Sequence, residues 1–393
     1  MKVLHLTKFY APVAGGIETV VLELTHGSNR RGLPTDVLCA GTERETRRER
    51  GAAGEQITRA GSWGRLHSTS IAPALVAEAR RLAPAYDLIH VHMPDPMAAL
   101  ALWCARPRAK VIVHWHSDVV RQRLALQAYR PLQDWLLRRA DAIVATSEPY
   151  ARSSPWLARW QHKVEVIPIG ISDIALPSAD EVRHISDRYG GRHIVFALGR
   201  MTYYKGFDVL IDAAAALPDH CVIVVGGDGE LLARHRAEVQ RRRLAHKIVF
   251  VGRIADAELA AHFAAARLFC LPSTHRAEAY GVVLVEAMAL GKPVITTDIP
   301  GSAVSWLNQS GVTGYNVPVG DAGALTSAVQ KIIGDNATAA QQGRAARARY
   351  EACLNAEVMV EATMSLYRRL MAGRPTAATP ESDNTGRVFG NDD

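Results

Sequence analysis

The sequence has few cysteines and no long apolar run, and both absences narrow the kinds of protein that it can encode. Its five cysteines are scattered through 393 residues and form no C-x-x-C pair, which argues against a disulfide framework or a zinc site. A reducing compartment is therefore expected. No apolar run approaches the roughly 20 residues that cross a bilayer, and the first residues are too short an apolar segment for a secretory signal. We therefore expect a cytoplasmic protein without a transmembrane segment.

Acidic residues are fewer than basic ones, and the imbalance is uneven along the chain. The net charge is +7, and residues 1–180 hold 23 Lys and Arg against 17 Asp and Glu. The basic residues concentrate in two runs, 44–50 (Arg44, Arg47, Arg48 and Arg50) and 121–139. Each run suits either an anionic membrane surface or an ordinary solvated face. Peripheral contact with the inner face of the cytoplasmic membrane is therefore one hypothesis from the sequence. No nucleic-acid partner is expected.

Short apolar runs alternate with helical patterns almost from end to end, which is typical of βαβ units that build a parallel sheet. The sequence therefore predicts an α/β protein with two doubly wound, Rossmann-like domains over 1–170 and 191–355. Residues 171–190 lose the alternation and are predicted to be a linker. After a last helix at 356–372, residues 373–393 are polar and without periodicity, so a disordered tail is predicted.

The pattern also predicts individual elements. Strands are expected near 3–9, 35–40, 87–93, 110–116, 142–147, 164–169, 193–199, 221–226, 248–251, 268–272 and 293–297. Helices are expected near 17–31, 71–83, 96–105, 121–139, 206–216, 256–266 and 280–290. Ligands of open α/β sheets bind at the carboxyl ends of the strands, so the cleft between the two domains is the expected site.

Two candidate features lie at strand ends of the first domain. Gly15 and Gly16 follow the first strand and open a helix, where glycine lets backbone approach a ligand and free N–H groups can hold an anion. A tight turn without a ligand fits these residues equally well. His116 ends the run Val113-His114-Trp115-His116 and can bind a phosphate or a sugar hydroxyl, or serve as a hydrogen-bonded structural histidine.

In the second domain, Gly199-Arg200-Met201-Thr202-Tyr203-Tyr204-Lys205-Gly206 joins a strand to a helix. Arg200 can bind phosphate oxygens bidentately and Lys205 supplies a mobile point charge, so the pair suits a diphosphate. A solvated basic loop is the alternative. The later run Val225-Gly226-Gly227-Asp228-Gly229-Glu230 lacks the full glycine spacing of a dinucleotide fingerprint, so a tight turn beside the nucleotide is favoured over a nicotinamide site.

The stretch from Leu271 to Ile295 contains two carboxylates in different settings. Glu278 is predicted in a loop that faces the cleft, and Glu286 about two turns along the following helix, where it could accept hydrogen bonds from the hydroxyls of a ribose. Free N–H groups around Tyr280, Gly281 and Val282 could hold a phosphate at the helix start.

Glu278 and Glu286 enclose seven residues. Together with Gly199-Arg200 and Lys205-Gly206 upstream and Gly15-Gly16 in the first loop, this E-x7-E arrangement resembles the retaining glycosyltransferases of family 4, which have the two-domain GT-B fold. The resemblance covers residues 1 to about 370. It is strongest to bacterial mannosyl- or rhamnosyltransferases that assemble lipid-linked surface polysaccharides such as lipopolysaccharide.

The resemblance implies a role for each of these positions. Arg200 and Lys205 would bind the donor diphosphate and neutralise the leaving nucleotide. Glu286 would bind the ribose, while Glu278 and His116 would contact the transferred sugar.

Gly16, with Gly15 beside it, would lie near the diphosphate. The last helix would cross back to the first domain. The expected reaction retains the anomeric configuration and needs no divalent metal or other cofactor, and the chain shows no Asp-x-Asp at a strand end.

The first hypothesis from the sequence is therefore transfer of a hexose from a nucleotide sugar to a hydroxyl of a lipid-linked or oligosaccharide acceptor, with GDP-mannose as the first donor to consider. A sugar-nucleotide epimerase or a phosphorylase of the same fold is an alternative. A catalytically silent nucleotide-binding protein is another.

Overall fold

A computed structural model describes residues 1–13, 15–66, 69–118 and 123–373. The predicted α/β architecture is confirmed, with two mainly parallel sheets flanked by helices. The predicted disordered tail lies outside the described residues, apart from its first residue, Gly373.

The N-terminal domain is built on an eight-stranded sheet in the order β10-β9-β8-β7-β1-β2-β4-β3, in which β3 is antiparallel to its neighbour. A two-stranded hairpin, β5–β6, stands beside it. The elements are β1 (Val3–Thr7), α1 (Gly16–Arg30), β2 (Thr35–Ala40), β3 (Arg47–Arg50), β4 (Gln56–Ala60), β5 (Arg65–Leu66), β6 (Thr69–Ser70), α2 (Pro73–Leu82), β7 (Leu88–Met93), α3 (Pro96–Ala105), β8 (Lys110–Trp115), α4 (Arg123–Arg139), β9 (Ala142–Ala145), α5 (Glu148–Ser153) and β10 (Val164–Val166).

The C-terminal domain is built on a six-stranded parallel sheet in the order β13-β12-β11-β14-β15-β16. Its elements are α6 (Ala179–Arg188), β11 (His193–Leu198), α7 (Phe207–Ala214), β12 (Cys221–Gly226), α8 (Leu232–Arg241), β13 (Ile248–Gly252), α9 (Asp256–Ala265), β14 (Ala266–Leu271), α10 (Val282–Ala289), β15 (Val294–Thr297), α11 (Val304–Leu307), β16 (Gly314–Val317), α12 (Ala322–Gly334), α13 (Asn336–Arg349) and α14 (Ala356–Met371). Central strands such as β12 are buried on both faces because helices cover both sides of a parallel sheet.

The segment predicted as a linker contains a helix. Ser178 and Glu181 form a reciprocal capping box that starts α6, and each side chain accepts a hydrogen bond from the other residue's backbone. At its far end, Arg188 pairs with Glu258 of α9 at 2.9 Å. Helix α6 therefore packs on the C-terminal domain.

Helix α14 crosses back to the N-terminal domain, as predicted. It packs along α1 where Gly27 has no side chain, and a Cβ there would come within 2.5 Å of Val360 Cγ2. Arg369 of α14 also forms an ion pair with Glu165 of β10. The helix thus ties the end of the chain to the first sheet.

The basic segment at 121–139 is described from Arg123 onward, as α4. Its Leu136 and Leu137 are buried, and Leu132 and Trp135 pack partly buried on the same core. These described apolar side chains are therefore directed to the domain core. Among the described residues, no helix is both long enough and apolar enough to span a bilayer.

Candidate functional site

The loop between β11 and α7 is held against the end of β14 by a glycine. Gly206 has φ 65°, and a Cβ at this position would lie 2.1 Å from the carbonyl oxygen of Pro272. A second contact is the backbone N–H of Thr274, which donates to the carbonyl of Tyr204 at 2.8 Å. These contacts place Lys205 beside the loop that follows β14.

Lys205 and Glu278, which were predicted as site residues from separate motifs, form a buried ion pair. The Lys205 Nζ lies 2.5 Å from Glu278 Oε2, and the two side chains are 10% and 9% exposed. Ser273 Oγ also donates to Glu278 Oε2, at 2.8 Å. The lysine stem lies along Gly199, where a Cβ would be 3.1 Å from Lys205 Cε. The cation is therefore fixed in a low-dielectric setting, where its charge acts strongly on a bound anion.

Arg200 differs from Lys205 in its surroundings. It is exposed, and within the described part of the chain it has no hydrogen bond or ion pair. The neighbouring turn packs against this loop, because Met201 N–H donates to Asp228 O at 2.9 Å and a Cβ on Gly227 would lie 1.9 Å from Gly199 O. The 225–230 run is thus a turn against the proposed phosphate loop.

Helix α10 begins at Val282, after Gly281 at φ 85°. Its first N–H groups have no partner within the helix, so they can bind an anion. The Tyr280 side chain is directed away from the helix start. Its hydroxyl is buried and donates to the carbonyl of Ile169 at 2.9 Å. The ring of Tyr280 thus anchors the C-terminal domain to the segment that leaves the first sheet.

Glu286 is half-buried on α10. Burial raises its pKa to about 7, and the positive charge of Lys205 acts in the opposite direction. The charge of Lys205 therefore acts on both Glu286 and Glu278. It changes its charge near neutral pH, which is unusual for a carboxyl group.

The first loop of the N-terminal domain meets this helix. Gly16 begins α1, and a Cβ at Gly16 would lie 3.7 Å from Val282 Cγ2 at the start of α10. The two predicted phosphate-binding helix starts are therefore in contact across the domains. Gly15 has extended backbone geometry, and a Cβ there would meet the carboxylate end of Glu18.

A second contact between the domains flanks the site, and it was not predicted from the sequence. Arg276 Nη2 pairs with Asp118 Oδ2 at 3.1 Å, and the guanidinium lies 4.6 Å over the Tyr150 ring. Asp118 also accepts hydrogen bonds from Trp115 Nε1 at 2.9 Å and Ser154 Oγ at 2.7 Å. The ion pair joins the loop that contains Glu278 to the strand end that contains His116.

His116 is buried at the end of β8, within a cluster of five histidines. The members lie on three neighbouring strands, β1, β7 and β8, and on one face of the sheet: His5, His90, His92, His114 and His116. Of these five histidines, only His116 was predicted from the sequence as a site residue. The repeated H-x-H pattern in β7 and β8 was the available signal, since alternate residues of a strand share a face.

Two nitrogen pairs of the cluster are hydrogen-bonded, and a third hydrogen bond joins the cluster to a tyrosine. His5 Nδ1 lies 2.8 Å from His92 Nε2, and His92 Nδ1 lies 3.0 Å from His116 Nε2. His90 Nδ1 contacts the Tyr367 hydroxyl of α14 at 2.6 Å. Burial lowers the pKa of His5 and of His116 to about 3, so these imidazoles are neutral at physiological pH.

The cluster also has the donor set of a transition-metal site. Two overlapping groups, His5–His90–His92 and His92–His114–His116, each bring one nitrogen per residue within 4.8 Å of the others. Four nitrogens of the cluster, one each on His5 and His116 and both on His92, are already used in the hydrogen bonds above.

Comparisons with known proteins agree with this geometry. Residues 14–173 match the model of "Glycosyltransferase Family 4", and residues 178–349 match that of "Glycosyl transferases group 1". The chain is 33% identical to O-antigen chain mannosyltransferase C of Escherichia coli over 383 residues, which is 95% of this chain and 100% of that protein. The chain belongs to glycosyltransferase family 4.

Other relatives place this family 4 glycosyltransferase among enzymes of bacterial polysaccharide and lipopolysaccharide biosynthesis. It is 32% identical to the D-rhamnosyltransferase WbpZ of Pseudomonas aeruginosa over 353 residues, 89% of this chain and 91% of that protein. Its fold is also that of a sucrose-phosphate synthase from Thermosynechococcus elongatus, with a TM-score of 0.79 and 24% identity over 95% of this chain and 100% of that one. The predicted GT-B fold is thus confirmed.

Proposed function

We propose that this family 4 glycosyltransferase transfers mannose from GDP-mannose, with retention of configuration, to a hydroxyl of a lipid-linked or oligosaccharide acceptor. The observation that carries the proposal is the contact between the domains at Gly16 and Val282, beside the Lys205–Glu278 pair. It gathers an anion-binding helix start, a buried cation and a carboxylate in one place. The similarity to a mannosyltransferase supports the choice of sugar.

The residues suit the charge that develops in the reaction. When the bond between the anomeric carbon and the diphosphate oxygen breaks, negative charge collects on the leaving diphosphate. Lys205 and the amides at the start of α10 stabilise this charge, and Arg200 lies at the exposed end of the same loop. A diphosphate competes with Glu278 for Lys205, which leaves the Glu278 carboxylate to accept hydrogen bonds from sugar hydroxyls.

Retention follows if the acceptor attacks from the face that the diphosphate leaves. The acceptor oxygen then bonds to the anomeric carbon, and its proton passes to the departing diphosphate oxygen. Glu278 is hydrogen-bonded by Ser273 and paired with Lys205, so we assign it to binding rather than to nucleophilic attack. The step uses no metal ion, and transfer is expected to survive EDTA.

A cleft of about 260 Å³ beside the first loop suits the acceptor. Its lining includes Pro12 and Val13 and the side chains of Glu43, Glu45 and Glu49. Carboxylates accept hydrogen bonds from glycan hydroxyls. The cleft opens at the carboxyl ends of β1 and β2, on the same edge of the sheet as His116.

The proposal is tested by product analysis with purified protein. GDP-mannose is incubated with a lipid-linked or oligosaccharide acceptor, and the configuration of the new linkage is read by NMR. We expect an α-mannoside from the α-configured donor, unchanged by EDTA. A β-linked product would overturn retention, and mannose altered without an acceptor would favour an epimerase.

A rhamnosyl donor is the second candidate, because a D-rhamnosyltransferase is 32% identical over 353 residues. D-Rhamnose is mannose without its 6-hydroxyl group. Competition between GDP-mannose and GDP-D-rhamnose, measured as the ratio of kcat/KM values, decides between them. A site that hydrogen-bonds the 6-hydroxyl rejects the deoxy sugar strongly, whereas a site without that contact does not.

We also propose peripheral binding to an anionic membrane through the edge of the first sheet. Strand β3 is exposed along its whole length and contains three arginines. Trp63 is 71% exposed. It lies near β3, because the backbone N–H of the preceding residue, Ser62, donates to the carbonyl of Glu43 in the segment before that strand. Exposed tryptophan and arginine together suit a lipid interface. We expect the protein to float with phosphatidylglycerol vesicles and the Trp63→Ser variant not to. Equal flotation of the parental protein with neutral vesicles would contradict the proposal.

A further inference from the structure

The guanidinium of Arg59 binds the turn of the chain that follows β1. Arg59 lies on β4, and its Nη1 donates to the carbonyl of Tyr10 at 3.3 Å, while its Nη2 donates to the carbonyl of Ala11. The third nitrogen, Nε, donates to Glu49 Oε1 of β3 at 2.8 Å. All three guanidinium nitrogens therefore bind groups of the protein, in a planar fork that a lysine cannot reproduce.

The two carbonyls differ in their other partners. The Tyr10 carbonyl also accepts from the backbone N–H of Val13 at 3.2 Å, and the Tyr10 hydroxyl donates to the buried Glu55 at 3.0 Å. Among the described residues, no second donor reaches the Ala11 carbonyl. Tyr10 is thus fixed from several sides, whereas the course of the chain after it depends on Arg59.

The turn over residues 10–13 forms part of the cleft that we assign to the acceptor. Pro12 and Val13 lie in the turn and line that cleft, and Arg59 lines it as well. The groups assigned to the donor, such as Lys205 and Glu286, lie in the other domain. A displaced turn would therefore change the acceptor cleft while it leaves these donor-binding groups in place.

We propose that Arg59 is a positioning residue for the acceptor, which shapes the cleft through the 10–13 turn rather than by binding the sugar itself. Its side chain is only 17% exposed, and its nitrogens are directed to the turn and to Glu49. The effect on the acceptor rests on the proposed function, because it requires an acceptor in this cleft. The hydrogen bonds to the turn do not, and they can be tested in the free protein.

Hydrogen exchange, read by NMR at the Val13 amide, tests the hydrogen bonds to the turn. Arg59→Lys retains a cation beside Glu49 but cannot donate to both carbonyls in one plane. We expect Val13 to exchange about tenfold faster in this variant, because loss of one charge-assisted hydrogen bond corresponds to about that factor. Parental exchange at Val13 would overturn the proposal.

Arg349→Lys is the matched control for this measurement. Arg349 is also half-buried, and it donates to the carbonyls of two consecutive residues in the C-terminal domain, Leu307 at 2.8 Å and Trp306 at 2.9 Å. We expect a similar loss of stability in urea unfolding, with parental exchange at Val13. Faster exchange at Val13 in both variants would indicate general loosening and overturn the proposal.

Steady-state kinetics test the effect on the reaction, with GDP-mannose and the acceptor that yields product in the assay above. We expect Arg59→Lys to raise KM for the acceptor about tenfold, with the Kd of GDP unchanged. Glu49→Gln keeps an oxygen for Arg59 Nε and should remain close to the parental protein. An equal rise of KM in Glu49→Gln would assign the effect to the ion pair and overturn the proposal, as would an equal loss of GDP affinity in Arg59→Lys.

The two proposals fail separately. If no acceptor is mannosylated but Arg59→Lys accelerates exchange at Val13, the proposed function alone is contradicted and Arg59 still positions the turn. If the protein is active and Arg59→Lys keeps the parental exchange rate and KM for the acceptor, the role of Arg59 alone is contradicted.

Discussion

At the scale of single residues, the charge of Lys205 is the feature most directly tied to turnover. We expect Lys205→Met to lower kcat by about 10²- to 10³-fold, the range for loss of one group that stabilises transition-state charge. Lys247→Met is the matched control, because Lys247 is equally buried and also ion-paired, with Asp219. It lies before β13, at the end of the sheet away from the site. Initial-rate assays measure kcat, and circular dichroism checks the folding of both variants. Equal losses of kcat in the two variants would contradict the role assigned to the Lys205 charge.

Glu286 predicts how nucleotide binding depends on pH. Burial raises its pKa to about 7, so the carboxylate loses its charge as the pH falls through neutrality. If the ribose hydroxyls donate to the charged form, GDP affinity should fall by up to about tenfold per pH unit below that pKa. Isothermal titration between about pH 8 and about pH 6 measures this. Glu286→Gln should flatten this dependence, and a parental affinity that is level across the range would contradict the role.

Single residues also show where sequence reasoning about the site succeeds and where it stops. Lys205 and Glu278 were selected because each lies in a strand-to-helix loop of one domain, and a parallel sheet brings such loops to one edge. His5 and His92 were missed. Their contact depends on the pairing of β1 with β7, and the two histidines are 87 residues apart in the sequence. A pairing register over that separation cannot be read from local pattern.

At the scale of elements, the apolar pattern predicted the central strands and failed toward the edges of the sheets, where β4 and β3 were both missed. Strand β12 is a continuous apolar run because both of its faces are covered, and β8 is apolar apart from Lys110 and His114. Strand β3 has the sequence RRER and is fully exposed, so nothing in its composition indicates a strand. Strand β16 was also missed. Such strands form because a paired neighbour offers backbone hydrogen bonds, which the hydrophobic pattern does not report.

The loop between β11 and α7 gives a prediction at the same scale. Gly206→Ala places a Cβ against the Pro272 carbonyl in a left-handed conformation, so we expect it to destabilise the protein by more than about 1–2 kcal/mol and to lower transfer by displacing Lys205. Gly190→Ala is the matched control, since Gly190 has φ 66° and open space around it. It should show the left-handed cost alone. Urea unfolding and initial rates measure both effects, and similar behaviour of the two variants would show that the Pro272 contact is unimportant.

At the scale of the whole molecule, the site requires the two domains to meet, and one ion pair beside it holds them together. Arg276 reaches from the loop of Glu278 to Asp118, which also accepts hydrogen bonds from Trp115 and Ser154. Asp118 is 6% exposed, so its carboxylate depends on these partners in the closed arrangement. An enzyme that must admit and release its substrates can use such a contact as a latch.

Removing the latch should therefore shift the protein toward open arrangements. We expect Arg276→Gln to increase the radius of gyration in small-angle scattering and to raise KM for the donor about tenfold, the effect of losing roughly 1.4 kcal/mol of closure. Saturating donor should restore compactness, because a ligand that binds both domains favours the closed form. Arg188→Gln is the control, since its exposed pair with Glu258 lies within the C-terminal domain. If Arg276→Gln scatters like the parental protein with and without donor, closure depends on the Gly16–Val282 contact and α14 rather than on this pair.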